Sequence, residues 1–186
     1  MRGARSSLLG SFLMSDGHHK WLGDDESPAT RIITAAMKKQ QRYDDYFIDL
    51  ATRTARMSHC ERLKVGAVAV RESRPILTGW NGTSPGEDNC CEETSQRWGD
   101  DGVSIIYDKT TKQSVNHAER NLIEFASRKG ISLEGCTLYI THAPCIECAK
   151  SIRNSGFIEL VYKDVYRCDA GLMHLKNMRV RQYNER

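Results

Sequence analysis

Apolar positions are scattered up to about Gln40 and then fall into patterns. In D-D-Y-F-I-D-L-A-T-R-T-A-R-M, Phe47, Leu50, Ala51, Thr54 and Met57 share one stripe at helical spacing, which predicts an amphipathic helix from about Tyr43. V-G-A-V-A-V (65–70) and P-I-L-T-G-W-N (75–81) read as two strands joined by the short turn R-E-S-R. From 82 to 116 the pattern breaks, over a span far longer than the roughly 2–6 residues of an ordinary strand-to-helix loop. An insertion with its own structure is predicted there, and V-S-I-I-Y, D-K-T-T-K and Q-S-V suggest a small hairpin within it. N-H-A-E-R-N-L-I-E-F-A-S-R-K-G is an amphipathic helix closed by Gly130. C-T-L-Y-I-T (136–141) is a strand, C-I-E-C-A-K-S-I-R-N-S-G a helix ended by Gly156, and F-I-E-L-V-Y (157–162) a strand. A short helix near 169–176 and a last strand in M-R-V-R-Q-Y (178–183) complete the chain.

Strand, helix, strand, helix, strand calls for parallel pairing with crossovers, whereas the first two strands form an antiparallel hairpin. The predicted fold class is α/β in three layers, a mixed sheet of about five strands with helices on both faces. One domain is expected over 41–186, with 82–116 as its insertion and 1–40 as a flexible or peripheral extension. The start M-R-G-A-R-S-S-L-L-G-S-F-L-M has an apolar run interrupted by Gly10 and Ser11 and no small-residue cleavage site. It reads as a leader, with Met14 an alternative start, rather than as a secretory signal.

With 186 residues the chain is long enough to bury a core. No apolar run approaches the roughly 20 residues of a membrane helix. A net charge of +3 is too mild to imply a polyanionic partner. The basic tail K-N-M-R-V-R-Q-Y-N-E-R fits a solvated strand better than a nucleic-acid footprint. Seven cysteines change the picture more. The count is odd, and Cys90 and Cys91 are adjacent and do not easily bridge each other. Cys145 and Cys148 stand at metal-ligand spacing. Thiols kept as ligands predict a reducing cytoplasm.

Catalytic zinc keeps three protein ligands and leaves a fourth position open. His117, Cys145 and Cys148 supply such a set, with the two sulfurs one helical turn apart and Pro144 helping to start their helix. Both ligand segments begin helices, whose positive ends favour thiolates. Glu119, two residues after His117, converges on the same point if the helix has not yet begun at His117. There it would take a proton from water and deliver it to a substrate nitrogen. Asn116 and Glu119 also match a capping box, in which Glu119 would serve only the helix end. A structural zinc finger, with His142 as fourth ligand, is the competing use of the metal set.

H-A-E followed by P-C-x-x-C is the signature of zinc deaminases acting on cytosine or adenine. With D-D-Y-F (44–47), S-H-C-E-R-L-K-V-G-A-V-A-V (58–70), G-W-N-G (79–82), C-C-E-E (90–93), H-A-E-R-N (117–121) and T-H-A-P-C-I-E-C-A-K (141–150), the chain resembles the deoxycytidylate (dCMP) deaminases of the cytidine deaminase-like superfamily. The resemblance runs from about Tyr43 to the C-terminus. It implies the three-layer cytidine deaminase-like fold and hydrolysis of dCMP to dUMP and ammonia for thymidylate synthesis. It implies Zn2+ on His117, Cys145 and Cys148, with Glu119 as proton shuttle. Asn81, Ala118, Pro144 and Tyr166 are its implied substrate-binding residues. A homo-oligomer, commonly a hexamer, is implied too, activated by dCTP and inhibited by dTTP with Mg2+ beside the effector. Lys64, Gly82 and Gly86 are the implied effector residues. No membrane or nucleic-acid partner is expected.

Three departures stand out. The loop N-G-T-S-P-G has its proline one place later than the family's N-G-x-P-x-G. Leu122 replaces the usual alanine. Some relatives hold a second, structural zinc on cysteines equivalent to Cys60 and Cys90 or Cys91, but the histidine they supply shortly before H-A-E is missing here. Arg120 occupies a variable slot, where it is read as solvated or as approaching a phosphate.

Overall fold

The computed structural model describes residues 27–165 and 169–184. The predicted leader and Tyr166 lie outside the described residues. Helix α1 spans Pro28–Ala55 and so begins well before Tyr43. The signal is local: Ser27 caps the helix, its Oγ accepting from the Thr30 amide at 3.2 Å, and Pro28 follows at the first position, where a missing N–H costs nothing. The buried stripe is Phe47, Ile48, Ala51, Thr54 and Ala55. Met57, expected on that stripe, is exposed because the helix has ended two residues earlier.

β1 (Gly66–Arg71) and β2 (Arg74–Trp80) form the expected hairpin, turned through Glu72 and Ser73 at φ 51 and 59. α2 (Ala118–Lys129), β5 (Thr137–His142), α3 (Ile146–Asn154), β6 (Glu159–Asp164), α4 (Ala170–His174) and β7 (Arg179–Gln182) follow the insertion. The main sheet has five strands in the order β2-β1-β5-β6-β7. Pairing is antiparallel as far as β5 and parallel from β5 to β7. Pro75, which donates no hydrogen bond, sits on the edge strand β2, where that lack is tolerated.

The three central strands are apolar on both faces. Ala67, Ala69, Leu138, Ile140 and Leu160 point to one side and pack with Leu122, Ala126, Ala149 and Ile152 of α2 and α3. Val68, Val70, Tyr139 and Val161 point to the other side, against Phe47, Ile48 and Ala51 of α1. This alternation with burial on both faces sandwiches the sheet and confirms the three-layer reading.

Asp44 pins α1 to the sheet. Its carboxylate accepts from Tyr139 Oη at 2.8 Å and from Arg181 Nη1 and Nη2 at 2.8 and 3.1 Å. Burial pushes this carboxyl up, but the hydrogen bonds from Arg181, Tyr139 and Gln40 outweigh it and hold it below the ordinary value. Asp44→Ala is expected to cost about 3 kcal/mol in urea unfolding near neutral pH, since it removes two guanidinium bonds from Arg181, which keeps its Glu159 pair, and the acceptor of the buried Tyr139 hydroxyl. A carboxylate with a lowered folded-state pKa stabilises above its unfolded value of 3.8 and loses that effect as pH falls through the folded value. The gap between wild type and variant should therefore close below about pH 4.

The insertion is a second sheet. β3 (Glu92–Trp98) pairs antiparallel with β4 (Ile105–Thr111). The hairpin predicted around D-K-T-T-K is thus displaced: Asp108–Thr111 lies inside β4, and the turn is W-G-D-D-G-V-S. Asp101 builds that turn by accepting from the amides of Val103 and Ser104 at 3.0 and 2.9 Å, with Gly102 at φ 66. Gly82 and Asn116 close the base through reciprocal amide–carbonyl bonds of 3.0 and 2.9 Å. A Cys60–Cys91 disulfide, spanning 31 residues, ties the hairpin to the segment before β1. A loop of that length is worth roughly 3–4 kcal/mol. Cys60 and Cys91 are therefore not a free thiolate pair for a second zinc, and Cys90 is exposed, its Sγ donating to the Glu92 carbonyl.

Candidate active site

His117 is the N-cap of α2, extended at φ −72 and ψ 156, and its side chain makes no capping hydrogen bond. Asn116 lies one residue before this cap and its Nδ2 donates to Ser84 Oγ at 3.4 Å, so the capping box of Asn116 with Glu119 does not form. Freed from capping, the imidazole turns to α3, with Nδ1 3.5 Å from Cys145 Sγ and 3.3 Å from Cys148 Sγ. Cys145 is in turn the N-cap of α3, and its Sγ accepts from the Cys148 amide. Two helix starts thus meet, as the spacing predicted.

Gly79 makes the meeting possible. A Cβ there would lie 2.6 Å from the Ala118 carbonyl oxygen and 2.8 Å from Leu122 Cβ, so only glycine lets the start of α2 rest on β2. Leu122, the departure from the usual alanine, is fully buried in the core between them. Asn121 adds a 2.7 Å hydrogen bond to the Trp80 carbonyl.

The donor atoms of His117, Cys145 and Cys148 lie within 4.8 Å of one another, and among the described residues no other such cluster occurs. Their nitrogen–sulfur separations of 3.3 and 3.5 Å are near the roughly 3.6 Å edge of a tetrahedral zinc site. Cys145 is drawn down to about 3, first by its hydrogen bond with Cys148 and then by His117, while Cys148 is pushed up chiefly by that same bond. A bound cation would take both sulfurs as thiolates and release their protons. His142 is not the fourth ligand. Its Nδ1 lies 3.1 Å from Thr141 Oγ1, and the set stays open on one side.

That open side is a cavity of about 100 Å³, whose wall includes His117, Cys145, Glu119, Asn81 and His142. Glu119 is 3% exposed, and burial pushes its carboxyl up to about 7. Asn81 is held by the segment before β1: its Oδ1 accepts from the Val65 amide and its Nδ2 donates to the Leu63 carbonyl, both at 2.8 Å. One amide hydrogen remains for a ligand.

The other expected residues sit differently. Ala118 and Pro144 are buried beside the ligands without lining the cavity. Gly82 and Gly86 bracket Thr83, Ser84 and Pro85, which line a second cavity of about 670 Å³ between β2 and α2; Lys64 is exposed and does not line it. Pattern reading missed Thr111 and Val115, which the insertion brings to the wall of the first cavity. No local signal marks them, because their position depends on the pairing of Gly82 with Asn116.

Residues 41–164 match the family model of the cytidine and deoxycytidylate deaminase zinc-binding region. The deoxycytidylate deaminase of Mycobacterium phage D29 is 39% identical over 64% of this chain and 93% of its own length. That of Saccharomyces cerevisiae is 33% identical over 98% of this chain, which spans 55% of the yeast protein. The crystal structure of dCMP deaminase from cyanophage S-TIM5 in complex with dCMP and dUMP superposes with a TM-score of 0.64 at 31% identity, covering 74% of this chain and 94% of that one. Taken with the open His–Cys–Cys set and its buried glutamate, these likenesses show that the chain belongs to the cytidine and deoxycytidylate deaminase zinc-binding family and is a zinc-dependent deaminase.

Proposed function

We propose that this enzyme hydrolyses dCMP to dUMP and ammonia and so supplies dUMP for thymidylate synthesis. The observation that carries the reading is one cavity bounded both by His117 and Cys145 of an incomplete His–Cys–Cys donor set and by a buried carboxyl that is not part of it. The S-TIM5 relative, solved with dCMP and dUMP, supports the choice of nucleotide.

His117, Cys145 and Cys148 would hold zinc. When bound, zinc supplies Lewis acidity, enough to bring the pKa of water to about 7. Glu119 takes one proton as water adds to the ring carbon and passes it to the ring nitrogen; it then moves the second proton from the new hydroxyl to the exocyclic nitrogen, so that the carbon–nitrogen bond breaks, ammonia leaves and a carbonyl remains. The burial of Glu119 keeps bulk water from exchanging these protons. Asn81, fixed from behind by Leu63 and Val65, orients the sugar or base with its remaining amide hydrogen.

The wider reading includes a homo-oligomer, a hexamer by resemblance, activated by dCTP and inhibited by dTTP with Mg2+; the Cys60–Cys91 disulfide runs against the reducing cytoplasm expected from the thiol ligands. The effector contacts would fall on the loop bracketed by Gly82 and Gly86 and on Lys64. Among the described residues no helix is long and apolar enough to cross a membrane.

Ammonia release should be measured from dCMP, deoxycytidine and a cytosine-containing single-stranded oligonucleotide, with and without dCTP and dTTP. Turnover of dCMP is expected, raised by dCTP and lowered by dTTP. Turnover of the oligonucleotide alone would sink the free-nucleotide reading, and indifference to both triphosphates would remove the regulation.

A further inference from the structure

The cysteines of this chain are held in two states. Cys145 and Cys148 are free thiols at the metal site, whereas Cys60 and Cys91 are joined to each other and only 1% exposed. The bond lies where it can reach the chemistry. Cys60 is on the wall of the catalytic cavity, and so are Leu63 and Val65 from its own segment and Thr111 and Val115 from the insertion. Leu63 and Val65 also hold Asn81. The Cys60–Cys91 bond therefore joins the two stretches of chain that make this side of the cavity.

Little else joins them. Among the described strands β3 and β4 pair only with each other, and a two-stranded sheet is marginal by itself. The apolar cluster at its foot consists of Cys60, Cys91 and Val115, so two of its three members are the bonded cysteines. The remaining ties are polar and at the surface. Glu92 Oε1 accepts from the amides of Glu61 and Arg62 at 2.9 and 3.2 Å, Arg62 Nη1 donates to Thr111 Oγ1 at 3.1 Å, and Lys109 pairs with Glu61 at 2.7 Å. Exposed pairs of that kind contribute little. The Gly82–Asn116 bonds close the insertion on itself and do not involve residues 60–63.

We propose that the Cys60–Cys91 bond is a reversible redox switch on substrate binding. Joined, it holds the insertion against the cavity wall; reduced by a thiol of the glutathione class, it releases the insertion and substrate binding weakens. In the reducing direction one thiolate attacks Cys60 Sγ, which forms a mixed disulfide and releases Cys91 as a thiolate that takes up a proton. A second thiolate attacks the reductant's sulfur in that mixed disulfide. Cys60 leaves, is protonated in turn, and the two reductant molecules end as one disulfide, having given up two electrons. Oxidised glutathione runs the same steps backward. Linkage adds a reciprocal effect: if the closed bond tightens nucleotide binding by some factor, bound nucleotide favours the closed bond by the same factor.

The switch goes beyond the nucleotide reading and rests on it only for its kinetic readout. The test equilibrates zinc-loaded protein in glutathione buffers from oxidised to reduced, with and without saturating dUMP. Thiols are trapped by alkylation and mapped by peptide mass spectrometry. Kinetics on dCMP, zinc content and hydrogen exchange of β3 and β4 are followed in parallel. Opening Cys60–Cys91 should raise KM for dCMP and the inhibition constant of dUMP by about 5- to 150-fold, the usual span of coupling between linked sites. Zinc should stay bound, and reoxidation should restore the original values. Saturating dUMP should move the opening midpoint toward more reduced buffer by the same factor in the equilibrium quotient. Cys90→Ser, which leaves the bond intact, should respond like wild type. Cys91→Ser combined with Cys90→Ser should be fixed in the weak-binding state at every buffer ratio. An opened bond with unchanged KM would reduce it to a structural staple and overturn the switch. A bond that no glutathione buffer opens, or zinc lost on opening, would overturn it too. Oxidised protein that leaves dCMP intact would sink the dCMP reading alone. Hydrogen exchange then decides the switch: β3 and β4 should exchange faster once the bond opens, and unchanged exchange would overturn it.

Discussion

Glu119→Gln should lower kcat for dCMP by about 10² to 10⁴ while the protein stays folded and keeps its zinc. Glutamine is as good as glutamate in a capping box, so a structural role at the start of α2 would survive the change. It cannot carry a proton between water and nitrogen. Zinc content should not move, because Glu119 is outside the donor set. Stability supplies a second check. Burial raises this carboxyl from 4.5 to about 7, so the metal-free native state loses stability as pH rises through that window, where the unfolded chain has already ionised. The neutral amide escapes this penalty. Metal-free Glu119→Gln should therefore be the more stable protein near pH 8, by up to about 3 kcal/mol, in chemical denaturation. Full turnover in the variant would remove the proton-transfer role.

Cys148→Ala should abolish both zinc retention and turnover. Cys148 is buried at the end of a three-member set, and the loss of one sulfur leaves two donors, too few for a tight site. Elemental analysis should fall from about one zinc per chain to near none, and dCMP deamination should fall to background. Dialysis of the wild type against a strong chelator should reproduce the loss, with recovery on adding zinc; the variant should not recover. The melting temperature should fall as well, since an ion bound only by the folded chain stabilises it by mass action. A variant that kept stoichiometric zinc would show that Cys148 is not a ligand.

The metal set was legible because its geometry is local. Two cysteines one helical turn apart face the same way in any helix, and glycines at 130 and 156 mark where the helices stop. Asn81 was legible only through resemblance, since N-G otherwise reads as a turn. The hairpin was misplaced for an identifiable reason. β3 and β4 are exposed on both sides, so no alternation of apolar and polar residues marks them, and D-K-T-T reads as a turn although it sits in a strand. The start of α1 is hard to read because its first turns carry exposed apolar residues such as Ile32 and Ile33, which obscure the stripe, so that only the Ser27–Pro28 cap marks it.

Periodicity and spacing in the chain alone determined the helices and strands of the main sheet and singled out the Cys145–Cys148 pair, because each of these depends on residues within a few positions of one another; His117 and the mixed pairing came from the order of elements and the joint motif. Tertiary structure decided the rest: that His117 caps nothing and turns to α3, that Glu119 is buried on the cavity, and that Arg62 is held beside Thr111. These relations join residues tens of positions apart through the Gly82–Asn116 pairing and the Gly79 contact, and no local pattern encodes which distant backbone will arrive there.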